Sequence, residues 1–173
     1  MREGLVAQIK RIAGFLLFDL VWFAAVIGRE DWIWVTLVLV LGQLALTWSC
    51  GRWHPRLIVQ LALGGLLLEA ILATMGLIDF SGDALLPLWL VLLWLGFAGM
   101  ALTALDWLQH KVAVAALIGF FGGPISYVIG AGVDAATAPQ GLWLMSLGYA
   151  VAYAIYMAWF AVMVKRQSGS ATS

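Results

Sequence analysis

The chain has 173 residues, 64% of them hydrophobic and 10% charged, and its formal net charge is zero. Soluble domains are nearer half apolar and a quarter charged, and a fold of this composition would lack the polar groups to cover its surface. A soluble globule, a disordered chain and a nucleic-acid binder are therefore excluded. What remains is an all-α, polytopic helical bundle whose surroundings are membrane lipid.

A crossing helix needs about 20 mainly apolar residues. Six stretches supply them in chain order: Ile12–Gly28, Trp32–Trp48, Leu57–Leu77, Leu85–Leu105, Val112–Gly132 and Gly141–Val164. The breaks between them carry charge, Gly or Pro: Arg29–Asp31, Gly51–Pro55, Asp79–Asp83, Asp106–Lys111 and Asp134–Gln140. Pro139 is placed to start the last helix. A closed β-barrel requires alternating polar and apolar residues, and runs such as Thr36–Leu41 are continuously apolar. The first stretch follows basic residues as a signal peptide would, but it contains Asp19 and no small-x-small cleavage site, so it reads as a retained helix. The expected organisation is one six-span domain over residues 1–166 and a flexible cytoplasmic tail over 167–173.

Orientation follows the basic residues of short loops. Arg2, Lys10, Arg11, Arg52, Arg56, Lys111, Lys165 and Arg166 fall on one side with Glu3 and Asp106, for a net +6. Arg29 falls on the other with Glu30, Asp31, Asp79, Asp83 and Asp134, for a net −4. The first side is cytoplasmic, and both termini lie there. Two acids, Asp19 and Glu69, remain within the spans.

An ionisable residue inside a span costs roughly 2.5–3.5 kcal/mol on insertion scales and is a functional candidate by default. Asp19 shares its helix face with Phe15, Trp22, Phe23 and Val26. Glu69 shares its face with Ala62, Gly65, Ala73 and Gly76, small residues that let a neighbouring helix come close, so Glu69 points into the bundle. No Lys, Arg or His lies within any span. Either acid can serve there as a hydrogen-bond donor or a proton carrier.

On the last helix Ser146, Tyr149, Tyr153 and Tyr156 fall on one face. Buried phenols need hydrogen-bond partners. The face is either a packing stripe satisfied by backbone and Glu69, or the wall of a polar cavity. The fifth span reads Gly122-Gly123-Pro124-Ile-Ser126-Tyr127. Pro124 removes a helical N–H and crowds the Phe120 carbonyl, and the glycines lower the cost of bending. A kink or break is expected there. It serves either to fit helices together, with Ser126 bonding back to the freed carbonyl, or to expose backbone beside a ligand. The cavity candidates are Asp19, Trp22, Glu69, Gly123, Pro124, Ser126, Tyr127, Tyr149 and Tyr153.

Trp32, Trp48, Trp53, Trp107 and Trp143 lie near span ends, as an interfacial belt requires. Asp106 and His110 share a helical face, and His54 lies on another loop, but nothing in their spacing builds a metal site. No phosphate loop, zinc-protease helix or Gly-x-Ser-x-Gly run occurs, and Cys50 is the single cysteine. No cofactor and no metal is expected, and a catalytic residue is not identified.

Phe18-Asp-Leu-Val-Trp22 through Gly28, the acid-bearing third helix, Leu86-Pro-Leu-Trp-Leu90 through Trp94 and Phe97, Leu105-Asp-Trp-Leu108 and Gly122-Gly-Pro-Ile-Ser-Tyr127-x-x-Gly130 resemble, in that order, a family of small bacterial inner-membrane proteins, the domain-of-unknown-function family number 2878. The likeness covers nearly the whole chain. At the position of Asp19 the family more usually carries Gln. Members are often encoded near fatty-acid-modifying methyltransferases, which implies a link to membrane lipid. The resulting expectation is an inner-membrane protein that binds or handles a lipid or small solute in an intramembrane polar cavity, as an accessory to lipid modification. The alternatives are a lipid-modifying enzyme using a buried carboxylate, and a structural or assembly subunit packing through Gly96, Gly99 and Thr103.

Overall fold

The computed structural model describes residues 2–170, and the side chains of 4–168. The described chain is mainly helical, with turns between the helices and one short antiparallel ribbon of two residues per strand. In order, α1 is Arg2–Gly28, α2 Ile33–Ser49, α3 Pro55–Thr74, β1 Asp79–Phe80, α4 Leu88–Ala104, α5 Val112–Gly132, β2 Ala136–Thr137 and α6 Leu142–Ser170. Short 3-10 turns, Arg29–Trp32 and Asp106–His110, join α1 to α2 and α4 to α5.

Among the described residues four helical segments are long and apolar enough to cross a membrane: Gly4–Ser49, Pro55–Thr74, Val112–Gly132 and Leu142–Ser168. Leu88–Ala104 is a shorter apolar helix. The first segment contains both α1 and α2, separated where Arg29 takes a left-handed φ of 47°. Helix α1 starts ten residues before the expected span, and α6 continues through Gln167 to Ser170, where a flexible tail was expected. The rest of that tail, 171–173, lies outside the described residues.

Two helix ends show why the breaks fall where they do. After α2 the Gly51 amide donates to the Trp48 carbonyl and the Arg52 amide to that of Thr47. After α3 the Gly76 amide donates to Ala73 and the Leu77 amide to Leu72. Both are Schellman caps, which require a left-handed residue, and Gly51 and Gly76 have φ of 69° and 70°. The cap ends α3 at Thr74, three residues before the hydrophobic run itself ends.

The chain divides into two compact units. The first is residues 1–63 with 88–106, and the second is 64–87 with 107–173. Helix α3 gives its first half to one and its second half to the other.

In the first unit α1, α2 and α4 pack on one another around Val21, Val40 and Leu92. Gly96 makes this possible, since a Cβ there would lie 2.9 Å from Val21 Cγ1. Along α2, Thr36, Val40, Gln43 and Thr47 are buried on one face. The Thr47 hydroxyl reaches the carbonyls of Gln43 and Gly99, and the Thr103 hydroxyl reaches Thr47 and the Gly99 carbonyl. Gly96, Gly99 and Thr103 are thus buried inside this unit and do not offer the small-residue association surface proposed from sequence.

The Gln43 amide is fully buried and finds no hydrogen-bond partner among the described residues. An unsatisfied buried polar group costs about 1–3 kcal/mol, and an apolar residue of similar shape removes that cost. Gln43→Met is therefore expected to raise thermal stability, and a fall in the unfolding temperature would show that the amide is satisfied in the folded protein.

At the end of the same unit Asp106, with its side chain only 5% exposed, receives Arg11 at 3.1 Å and Arg52 at 2.6 Å. Lys10 Nζ donates to the Ser49 carbonyl at 2.8 Å. These contacts hold the start of α1 against the ends of α2 and α4. Asp106 thus serves arginines from two distant segments, where sequence spacing had paired it with His110. Asp106→Asn is expected to lower the unfolding free energy by about 1–2 kcal/mol. The loss should shrink in high salt, because both guanidinium groups are partly exposed. Denaturant titrations at two ionic strengths check this.

In the second unit α5 and α6 pack along their lengths, joined by the end of α3. The antiparallel ribbon, Asp79 opposite Thr137 and Phe80 opposite Ala136, ties the connection after α3 to the connection before α6. Gln140 Nε2 donates to the Met75 carbonyl at 2.7 Å beside it.

Candidate functional site

Helix α5 fully buries only Ala115, Gly119, Gly123 and Gly130, and Tyr127 falls on the same line. The glycines let α6 approach. A Cβ on Gly119 would strike the Tyr153 carbonyl oxygen, and one on Gly123 would lie 2.7 Å from Tyr153 Cγ. A Cβ on Gly122 would meet nothing within 4 Å. The helix is continuous from Val112 to Gly132 through Pro124, so the expected break is not present. Proline removes one N–H without ending the helix, and α6 packs closely along the same face.

With α5 and α6 this close, Tyr127 stacks on Tyr149, ring centroids 3.6 Å apart and planes at 16°. Tyr153 meets Tyr127 edge-on at 5.7 Å. The fully buried Glu69 of α3 completes the cluster. Tyr149 donates to Glu69 Oε2 at 2.6 Å, and Tyr127 donates to Oε1. The Tyr153 hydroxyl lies 3.0 Å from that of Tyr127 and 3.4 Å from Oε1. The aromatic row continues along α6 through Tyr156 to Trp159, whose ring lies over Gly64. Glu69, Tyr127, Tyr149 and Tyr153 thus come from three helices of one unit.

A count of protons shows what the cluster can do. Each phenol has one proton to donate. With no proton on Glu69, Tyr149 satisfies Oε2, Tyr127 satisfies Oε1, and Tyr153 donates to Tyr127 or Oε1. Every hydroxyl then has an acceptor. A proton added to Glu69 makes one carboxyl oxygen a donor. The Tyr127 hydroxyl then becomes an acceptor, and the direction of the Glu69–Tyr127–Tyr153 chain reverses. The cluster can therefore take up a proton where the Tyr153 hydroxyl, then accepting from Tyr127, passes its own proton to a further acceptor, or it can present an oriented donor or acceptor to a polar group.

The remaining candidates lie elsewhere. Gly123 and Pro124 belong to the packing face and the turn below Tyr127, and Ser126 is half-buried on the same helix. Asp19 and Trp22 belong to the first unit. Asp19 is exposed on α1, between exposed Leu16, Leu20 and Phe23, rather than enclosed in a cavity. Sequence reasoning overlooked Gln43, although an amide on a face with Thr36 and Thr47 inside an apolar run was a legible signal.

Neither the curated proteins nor the solved structures show a match to the chain. A family model described as "Protein of unknown function (DUF2878)" matches residues 11–159, which include α2 to α5, Glu69 and the three tyrosines. The order of motifs, from Phe18-Asp-Leu-Val-Trp22 to Gly122-Gly-Pro-Ile-Ser-Tyr127, and this match over most of the length agree, and the chain belongs to the DUF2878 family.

Proposed function

We propose that this is a multi-pass protein of the bacterial inner membrane, with six crossings and both termini in the cytoplasm, and that it binds a membrane lipid or a small polar solute at Glu69. The carrying observation is the fully buried Glu69 carboxyl held by Tyr127, Tyr149 and Tyr153 within helices apolar enough to cross a membrane. An acid at that depth is costly, and such groups mark substrate and ion pathways.

Six crossings are supported by length. The 46 residues of Gly4–Ser49 rise about 70 Å as helix, more than twice a hydrocarbon core of about 30 Å. The charged run Arg29-Glu30-Asp31 at its middle belongs at the opposite surface. The 17 residues of α4 are at the short end of what suffices. The basic residues near both termini and after α2 favour a cytoplasmic location for those ends.

The test is the lipid profile of a deletion strain complemented with wild type or Glu69→Gln. Deletion should shift the profile and wild type should restore it. Glu69→Gln, which keeps the shape but cannot carry the proton, should fail to restore it at an equal protein level. Restoration by Glu69→Gln would overturn the role assigned to the carboxyl.

A further inference from the structure

Three cations are fixed at one end of the first unit. The left-handed turn at Gly51 reverses the chain after α2. Trp53 returns over Trp48, ring centroids 5.6 Å apart and planes at 30°, and Arg52 reaches Asp106. Arg52 Nη2 donates to Asp106 Oδ2, and Arg11 of α1 lies 3.1 Å from Oδ1 without a hydrogen bond to it. Lys10, next to Arg11, donates to the Ser49 carbonyl.

The carboxylate is buried, while the two arginine side chains remain 41% and 42% exposed. A guanidinium offers five N–H donors. Among the described residues Arg52 gives one nitrogen to Asp106, so most of the donors of this pair stay open. Lys10, Arg11 and Arg52 against Asp106 leave a local net charge of +2. Arg56, Lys165 and Arg166 are also basic and exposed, but no carboxylate or carbonyl fixes them among the described residues. The balancing charge does not come from this chain. In the spanning arrangement proposed above only Glu3 and Asp106 of its nine acids share this end, and Glu3 stands next to Arg2.

We infer that Lys10, Arg11 and Arg52 form a binding site for the phosphodiester of an anionic glycerophospholipid, with Trp48 and Trp53 at the level of its glycerol backbone. Arginine matches phosphate through paired N–H donors, and two guanidiniums already set on either side of one carboxylate lose little freedom when phosphate arrives. The stacked tryptophans suit the membrane–water boundary. Deeper along the same two helices, Ile12 and Leu16 of α1 and Leu41 of α2 are exposed and offer acyl chains a surface that a free anion does not use. The net +2 favours a headgroup that brings no ammonium of its own beside the arginines. The site shares no residue with the Glu69 cluster and does not depend on what binds there.

The purified, delipidated full-length chain in neutral detergent tests it, titrated with phosphatidylglycerol or phosphatidylcholine and read by native mass spectrometry. Half-occupancy by the first lipid should need about tenfold less phosphatidylglycerol than phosphatidylcholine. Arg11→Gln with Arg52→Gln should reduce that preference to about twofold. Arg56→Gln with Lys165→Gln, which removes the same charge outside the cluster, should keep it. Arg11→Gln alone leaves the bond from Arg52 to Asp106 in place and should lower the preference about threefold, which decides the matter where the double variant fails to fold. Equal affinity for the two lipids, or equal loss in the two double variants, would overturn the inference, since the attraction would then belong to charge in general. Displacement of bound phosphatidylglycerol by millimolar inorganic phosphate would assign the cluster to a free anion and overturn it as well.

Discussion

Glu69→Ala is expected to destabilise the purified protein in detergent by about 3–5 kcal/mol, among the largest effects of any single substitution in the chain. The magnitude follows from the hydrogen-bond count. The carboxyl is fully buried and accepts from Tyr127 and Tyr149, with Tyr153 in reach. Alanine leaves these phenols without their acceptor at a buried position, and each lost buried partner costs about 1–3 kcal/mol. Part is recovered where Tyr153 and Tyr127 donate to each other. Glu69→Gln should cost only about 1–2 kcal/mol, since its carbonyl accepts from one phenol and its amino group donates to another. Unfolding followed by tyrosine fluorescence or heat capacity checks both variants. Equal stability of wild type and Glu69→Ala would mean that the phenols find other acceptors, and the cluster would lose its place as the organising feature of the second unit. The two variants also separate stability from function, because Glu69→Gln is expected to fold and yet fail to restore the lipid profile.

The second large effect concerns three glycines within five residues. Gly119→Ala should destabilise by about 2–3 kcal/mol, because its Cβ meets a backbone carbonyl that cannot move without moving α6. Gly123→Ala should cost somewhat less, since the Tyr153 side chain it meets can turn, at the expense of its contacts with Glu69 and Tyr127. Gly122→Ala should do the opposite. Its Cβ meets nothing, so the helical preference of alanine over glycine, about 0.5–1 kcal/mol, appears as a gain. Thermal unfolding of the three variants side by side is the measurement. A uniform response would mean that α5 and α6 are not held at the distance the structure shows.

These glycines also mark how far the sequence can be read. The run Gly119–Gly123 with Pro124 was conspicuous, and it drew attention to the right segment. Of its two expected roles, fitting helices together agrees with the close approach of α6, while a break, which the physics of a lone helix allows at proline and glycine, is not present. In the folded chain the same small residues serve close packing, and the helix stays whole. Glu69 and the α6 tyrosines were legible for a simpler reason. A carboxyl and four evenly spaced polar residues stand out against an apolar background, and small residues at helical spacing around Glu69 turned it inward. Tyr127 was marked as a candidate, but its stacking on Tyr149 depends on how α5 is rotated against α6.

Asp19 shows the limit most clearly. Like Glu69 it is a lone acid in a long apolar helix, but it lacks the small neighbours that turned Glu69 inward. Its neighbours Phe15, Trp22, Phe23 and Val26 are all large and apolar, so nothing distinguished an inward face from an outward one. The structure leaves it exposed. Asp106 is similar: its local partner by spacing was His110, and its actual partners are Arg11 and Arg52.

The sequence by itself determined the all-helical class, the placement of the helices and their breaks, and the presence of a costly buried acid. Each of these is written in local composition or short spacing, in runs long enough to cross a membrane, glycine caps, and charge where charge is expensive. Only the tertiary structure decided which way each helix is turned. It placed Asp19 outside, Gly123 under a tyrosine and Gly122 in the open, and Asp106 between two arginines. The physical reason is that a helix apolar on every side carries no stripe to mark its buried face. Its rotation is set by the shapes of its neighbours and the few polar groups that must be satisfied, and these meet only when the chain is folded.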